Sequence, residues 1–427
     1  MRVQAQDHAV GGTLLVRFWL GHYADIIQEF VPETAVQQMQ GGVLHAAVVP
    51  VHRAPVIQGF LAGDGILVVG VHIAQEVPGR TGPLGHGIGF TGSGAAAARA
   101  GGLDPLGVAG QRAFAVRARL KVGNFRQAQR QTFPAADSYY TPFLSPTANR
   151  TFSPRELREI EPAHNAGIRV VPQLMGHCAE DFLWMAGQLA DMGYDEVNFN
   201  LGCPSNTVTV KKKGAGLLTE PDLLRRFFDA VFAACPLPVS VKTRLGKTTA
   251  ETFPALLELY NDYPICELIV HPRVQADQYH GQPDLEAFAY ALAHSRAPVC
   301  YNGDLFDAPA VRAFQARFPT VERIMLGRGL AANPGFIGQL RTGVEPTAAQ
   351  FQAFHDRLYA ATSARIPDRR ALLFRMKEAW RYLGCSFADA ERPLRRIRKA
   401  QDMIEYESAV RQLFASCPVR ENAGYFV

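Results

Sequence analysis

Strand-like runs alternate with amphipathic helical stretches along residues 136–340, and six of the runs lead in succession to polar or charged side chains. These two patterns predict an α/β fold, a TIM (β/α)8 barrel with its chemistry on one rim. After residue 340 the pattern turns helical, which predicts a C-terminal helical domain behind the barrel.

Strands are expected at residues 139–144, 168–174, 196–200, 239–243, 268–271, 299–302 and 323–326. Amphipathic stretches lie between them. One runs over 181–192, with Phe182, Met185, Ala186 and Leu189 at helical spacing. Another covers 220–234, with Thr219 read as its N-cap. The number of such units approaches the eight of a closed barrel. A doubly wound sheet is the runner-up, but no G-x-G-x-x-G follows a first strand.

The 427 residues can hold one large domain and a smaller one. A hydrophobic content of 48% and a charged content of 19% fit a soluble globular protein. Seven scattered cysteines form no C-x-x-C pair, which argues against a metal site or a disulfide framework and for a reducing cytoplasm. No signal-peptide pattern opens the chain, and no apolar run reaches the roughly 18 residues of a membrane span. The net charge of +5 is mild, so its placement matters more than its size.

Residues 1–120 read differently from the rest. They contain no Lys, Asn or Cys and a single Ser, yet hold about half of the 38 glycines. Residues 65–70 could form a strand, residues 18–30 a weak helix, and residues 79–110 read as low-complexity chain. Three readings compete: an accessory domain, a disordered extension, or GC-rich DNA read out of frame, with the last favoured. The expected organisation is an anomalous segment 1–120, a barrel over 121–340 and a helical domain over 341–427.

The rim residues carry the chemistry. Gln173 ends one strand and Cys203 follows another, inside Asn198-Phe199-Asn200-Leu201-Gly202-Cys203-Pro204-Ser205. Lys242 and His271 end two more; Asn302-Gly303-Asp304 and Gly327-Arg328-Gly329 follow the last two. Alone, Cys203 would read as a buried apolar thiol. Its strand-end position, with the loop Lys211 to Gly216 behind it, points instead to close approach of a phosphate or an anionic cofactor. An anionic aromatic cofactor with a phosphate tail would explain Lys242, Arg328 and the two glycine turns together. Beyond the barrel, Arg392, Arg395, Arg396, Arg398 and Lys399 form a basic helical appendix, which reads either as a solvated face or as contacts to RNA phosphates.

From about residue 122, through Phe125-Arg126, to about residue 415 the chain resembles the tRNA-dihydrouridine synthases. The resemblance rests on the Asn-Leu-Gly-Cys-Pro-Ser segment, the Lys211 to Gly216 loop, His271-x-Arg273 with Gln278-Tyr279, Met376-Lys377 and the 396–401 segment. It implies FMN as cofactor, NADPH as electron donor, and reduction of the uracil C5–C6 double bond in tRNA by a cytoplasmic monomer. By resemblance, Gln173 would bond the pyrimidine end of the flavin, Lys242 would face its N1/C2 region and His271 would lie close by. Asn302, Gly303, Asp304, Gly327 and Arg328 would surround the phosphate end. Cys203 would be the acid that protonates C5. Asn200, Arg273 and Tyr279 would meet the substrate, and Arg395, Arg396, Arg398 and Lys399 the tRNA backbone. The family opens its barrel with a strand running into A-P-M/L-E-G-x-T, where this chain has Ala115-Val116-Arg117-Ala118-Arg119-Leu120-Lys121. The first strand is therefore either replaced by residues such as 113–120 or missing. The rivals are a dihydroorotate-dehydrogenase-like FMN barrel and a flavin-free RNA-binding remnant.

Overall fold

Eight parallel strands close into the barrel that the sequence predicts. The computed structural model describes residues 14–19, 56–62, 66–72, 113–116, 122–145 and 149–426. It divides into two compact units, residues 1–98 and 99–427.

In the first unit, β1 (Leu14–Trp19), β2 (Val56–Ala62) and β3 (Ile66–His72) form an antiparallel sheet in the order β1-β3-β2. β2 and β3 flank Gly63-Asp64-Gly65, residue types suited to a tight hairpin turn. The strand expected at 65–70 is β3. The helix expected at 18–30 does not start there, because Phe18 and Trp19 pair with Leu67 and Ile66 at the end of β1. The rest of that helix and the low-complexity stretch 79–110 lie outside the described residues.

The second unit contains β4 (Ala113–Val116), β5 (Ser138–Tyr140), β6 (Val170–Val171), β7 (Gln173–Leu174), β8 (Val197–Leu201), β9 (Val239–Arg244), β10 (Leu268–His271), β11 (Val299–Tyr301) and β12 (Arg323–Leu326). Their order is β6-β5-β4-β12-β11-β10-β9-β8-β7. β6 and β7 are one run interrupted at Pro172, which has no N–H to give to a ladder. Joined through that proline, the two ends of the order meet and the sheet has no free edge. The first strand is thus present. β4 pairs in parallel with β12, from Ala113↔Arg323 to Val116↔Leu326, and with β5 through Ala115↔Ser138 and Val116↔Tyr139. It supplies the eighth strand without the Glu-Gly motif, and it lies on the far side of the residue 120 at which the composition changes.

Alternation along the strands sorts side chains between two environments. Val197, Phe199 and Leu201 face the helices Ala179–Asp191 and Pro221–Ala234, where Phe199 stacks on Phe227 at 4.5 Å and meets Phe182 edge-on at 5.6 Å. Asn198 and Asn200 face the interior. The helix Pro221–Ala234 is not capped by Thr219, as expected, but preceded by Glu220. Thr219 ends a short 3-10 turn and its hydroxyl donates to Gly216 O.

Among the described residues four α-helices follow Phe336–Thr342: Ala348–Ser363, Arg369–Leu383, Glu391–Lys399 and Met403–Ser416. The apolar core is continuous with that of the barrel. Phe125 and Phe133, on and just after the helix Val122–Thr132, pack on Phe354 and Phe351, and Asn124 Nδ2 donates to Ala361 O at 3.1 Å. Among the described residues no helix is long and apolar enough to cross a membrane.

Candidate active site

A ladder of buried side chains climbs the barrel interior and ends at Cys203. Ser240 Oγ donates to Glu196 Oε1 at 2.5 Å and accepts from Asn198 Nδ2 at 2.9 Å. Asn198 Oδ1 accepts from Gln173 Nε2 at 2.8 Å, and Gln173 Oε1 accepts from Asn200 Nδ2 at 2.7 Å. Asn200 Oδ1 then takes the backbone N–H groups of both Gly202 and Cys203, each at 3.0 Å. Strand register sets this up, since Gln173 lies opposite Asn198 and Asn200 opposite Lys242. An unpaired buried amide would cost about 1–3 kcal/mol, and here each amide meets the next.

The segment after Asn200 is gripped from outside as well. Arg244 Nε donates to Gly202 O at 3.0 Å, Ala215 N to Cys203 O at 3.1 Å, and Gln275 Nε2 to Pro204 O at 3.0 Å. Gly214 has φ +55, and a Cβ there would lie 2.9 Å from Cys203 Cβ; one on Gly216 would lie 2.3 Å from Thr209 O. These glycines let chain pack on chain. In the same loop Lys212 pairs with Glu220 at 3.0 Å, and Lys211, Lys212 and Lys213 are not among the residues that line the cavity beside Cys203.

Cys203 lies on a cavity of about 710 Å³ at the C-terminal ends of the strands. Lys242, His271, Tyr279, Asn302, Gly303, Asp304, Gly327 and Arg328 line it too, as the sequence led us to expect. Among the described residues its wall carries the cations Arg155, Lys242, Arg244, Arg328 and Arg381 against one carboxylate, Asp304. That carboxylate is already engaged. Arg273 grips it at 3.0 and 2.5 Å and Arg328 Nη2 at 2.5 Å. His271 is held neutral, its pKa pushed well below the usual value by burial and by Lys242, Arg244, Arg273 and Arg328. Arg273 Nη1, a donor only, faces His271 Nε2 at 3.2 Å, so the ring proton sits on Nδ1.

Three expected contact residues lie behind the wall. Gln173 and Asn200 are fully buried in the ladder. Arg273 is buried as well, and its guanidinium serves Asp304 and the carbonyls of His280 and Gly281. Arg395, Arg396, Arg398 and Lys399 are exposed on the helix Glu391–Lys399 and do not line the cavity of Cys203. Of these, Arg398 borders a second cavity of about 640 Å³, with Trp380, Arg381, Arg420 and Phe426.

Sequence reasoning missed Arg244, Arg155, Arg381 and Tyr425. Arg244 was within reach, because the interior alternation Ser240, Lys242 runs on to it. Burial draws its pKa down to about 10, and its guanidinium lies 5.4 Å from the Tyr279 ring. Tyr425 gave no such signal, since it arrives from the far end of the chain.

A profile of the dihydrouridine synthase family (Dus) matches residues 121–414. The chain belongs to this family. It is 30% identical over 207 residues to a probable tRNA-dihydrouridine synthase of Rhodobacter capsulatus, covering 46% of this chain and 63% of that protein. It is 30% identical over 236 residues to probable tRNA-dihydrouridine synthase 1 of Synechocystis sp., covering 53% and 65%. With tRNA-dihydrouridine synthase B of Vibrio cholerae it shares 29% over 187 residues, 42% and 56% of the two chains. It therefore spans less than two thirds of the length of each of these relatives. Strand β4 and the segment after residue 414 fall outside the dihydrouridine synthase match.

Proposed function

We propose that this dihydrouridine synthase reduces the uracil C5–C6 double bond in tRNA, with FMN as cofactor and NADPH as electron donor. One observation carries the reading: a thiol fixed at the rim of a cavity whose wall holds, among the described residues, five cations and one carboxylate already paired with arginines. That donor set fits FMN, which is an anion at its phosphate and a hydrogen-bond acceptor at its pyrimidine edge.

Lys242 and Arg328 would hold the cofactor, Lys242 from the interior end of β9 and Arg328 from the turn after β12. The chemistry a bound FMN supplies is hydride transfer, drawn from NADPH and delivered to uracil C6. The protein's own part is to place and protonate. Asn200 fixes the backbone on which Cys203 stands, and Cys203 Sγ–H is the proton source for C5. Neutral His271 adds no further positive charge to a wall that already carries Lys242, Arg244 and Arg328. Tyr279 stands on the cavity wall beside Arg244 and Arg328, where a base taken out of its stack would lie. The exposed Arg395, Arg396, Arg398 and Lys399 would contact phosphates along the tRNA.

Three measurements test this reading. The purified protein should carry an absorbance band at about 450 nm, as bound flavins generally do, and it should reduce unmodified tRNA with NADPH. A colourless protein that binds tRNA would point to the RNA-binding alternative. Replacing Arg395, Arg396 and Arg398 by Gln should lower the log–log salt slope of tRNA binding by roughly 0.7–0.9 per lost contact; an unchanged slope would remove this helix from the RNA interface.

A further inference from the structure

The guanidinium of Arg328 stands in a box. Asp304 holds one edge at 2.5 Å. Three rings surround it, with centroids 4.6 Å (Phe306), 5.3 Å (Tyr279) and 5.5 Å (Tyr425) from its central carbon. Phe306 and Tyr279 come from the barrel loops. Tyr425 comes from the segment 418–426, beyond the part of the chain that the family profile matches.

This segment is stitched to the fold along its length. Val419 bridges Phe387, and Arg420 N donates to Ser386 O at 2.8 Å. Asn422 N donates to Glu345 Oε1 at 2.7 Å, and Ala423 O accepts from the buried Asn333 Nδ2 at 3.0 Å. Gly424 then passes so close to the barrel rim that a Cβ would lie 2.3 Å from Phe306 O. Tyr425 N donates to that same carbonyl at 3.3 Å, and its ring meets Phe306 edge-on at 5.2 Å. The helical module also supports the ring, through Tyr382 at 5.8 Å.

We infer that Tyr425 is a positioning residue of the cofactor site: the strap 418–426 closes the aromatic box that aims Arg328 into the cavity. The inference rests on the proposed flavin reading and extends it to a residue outside the family match. An arginine carries several freely rotating bonds, and a ring face held against it limits the arrangements it samples before the anion arrives. The carboxylate of Asp304 fixes one edge of the guanidinium but not the plane.

The test is titration of the flavin-free full chain with FMN, followed by flavin fluorescence, together with melting of the flavin-free protein. Tyr425→Leu keeps an apolar side chain but removes the ring face, and should weaken FMN binding about 2- to 30-fold with the melting temperature little changed. Tyr425→Phe keeps the face and should bind as wild type does. Gly424→Val, which pushes the strap off Phe306 without touching Arg328, should weaken binding as Tyr425→Leu does. Wild-type affinity in Tyr425→Leu overturns the inference, and a raised KM for tRNA in that variant would assign the ring to substrate instead. If wild type binds no FMN, the flavin reading falls and the inference with it; if only the variants are unaffected, the inference alone falls.

Discussion

The two sides of the barrel mouth are built on opposite plans. On the Cys203 side, neighbouring strands β7, β8 and β9 supply Gln173, Asn198, Asn200 and Ser240, and the amides hydrogen-bond in strand order. On the Arg328 side, Tyr279, Asp304, Phe306 and Tyr425 converge from separate loops around one charge. The first side is rigid because each group is held by directional bonds inside a ladder. The second joins ring faces to a charge-assisted pair between Arg328 and Asp304, with no ladder of amides behind it. Under the proposed function the first plan would suit a cysteine that must meet one carbon atom, and the second a cation that must receive a phosphate.

The sharpest test of this contrast removes the thiol. Cys203→Ala should leave FMN binding intact and cut tRNA turnover by about 10²–10⁴-fold, the usual worth of a general acid. A variant as fast as wild type in single-turnover assays would take Cys203 out of the chemistry.

Asn200→Ala strikes the ladder itself. It strands the N–H groups of Gly202 and Cys203 and the Gln173 carbonyl, and should lower unfolding free energy by about 2–4 kcal/mol in urea titrations. A loss no larger than that of an exposed Asn would show that the ladder does not fix the Cys203 segment.

On the other side, Arg328→Ala should weaken FMN binding about 10- to 150-fold, the equivalent of one charge-assisted contact. Stability should change little, since the side chain is partly exposed and held by rings. If flavin stoichiometry after dialysis matches wild type, the phosphate does not sit here.

The smallest expected effect is the pH dependence of His271. Its folded pKa lies below the unfolded value of about 6.5, so as pH falls through that range the unfolded chain takes up a proton that the folded chain refuses. Stability is therefore full above about pH 6.5 and declines below it. His271→Gln should show a shallower acid-side decline in urea midpoint between pH 7.5 and 5.5; equal slopes would mean that the ring is protonated in the fold.

Much of this was written in the chain order. Period-two alternation marked the strands, and a polar residue at strand end after strand end marked the rim, because both depend on local geometry alone. Cys203, Lys242, His271, Asn302, Asp304 and Arg328 were all found in that way and meet on one cavity. What alternation could not say is which interior side chains are consumed by one another. Gln173, Asn200 and Arg273 read as contact residues, yet their donors and acceptors meet partners 25 to 31 residues away in sequence or on nearby loop carbonyls.

The sequence by itself determined the alternation of strands and helices, the polar rim and the basic face of the helix Glu391–Lys399. Each follows from a spacing of a few residues. Only the tertiary structure decided that Ala113–Val116 closes the barrel, because a four-residue strand is too short to announce itself and is fixed by its neighbours β5 and β12. It also decided that Tyr425 stands beside Arg328. Nothing in local sequence joins positions almost a hundred residues apart; the return of the chain across Phe306 does, and packing at Gly424 holds it there.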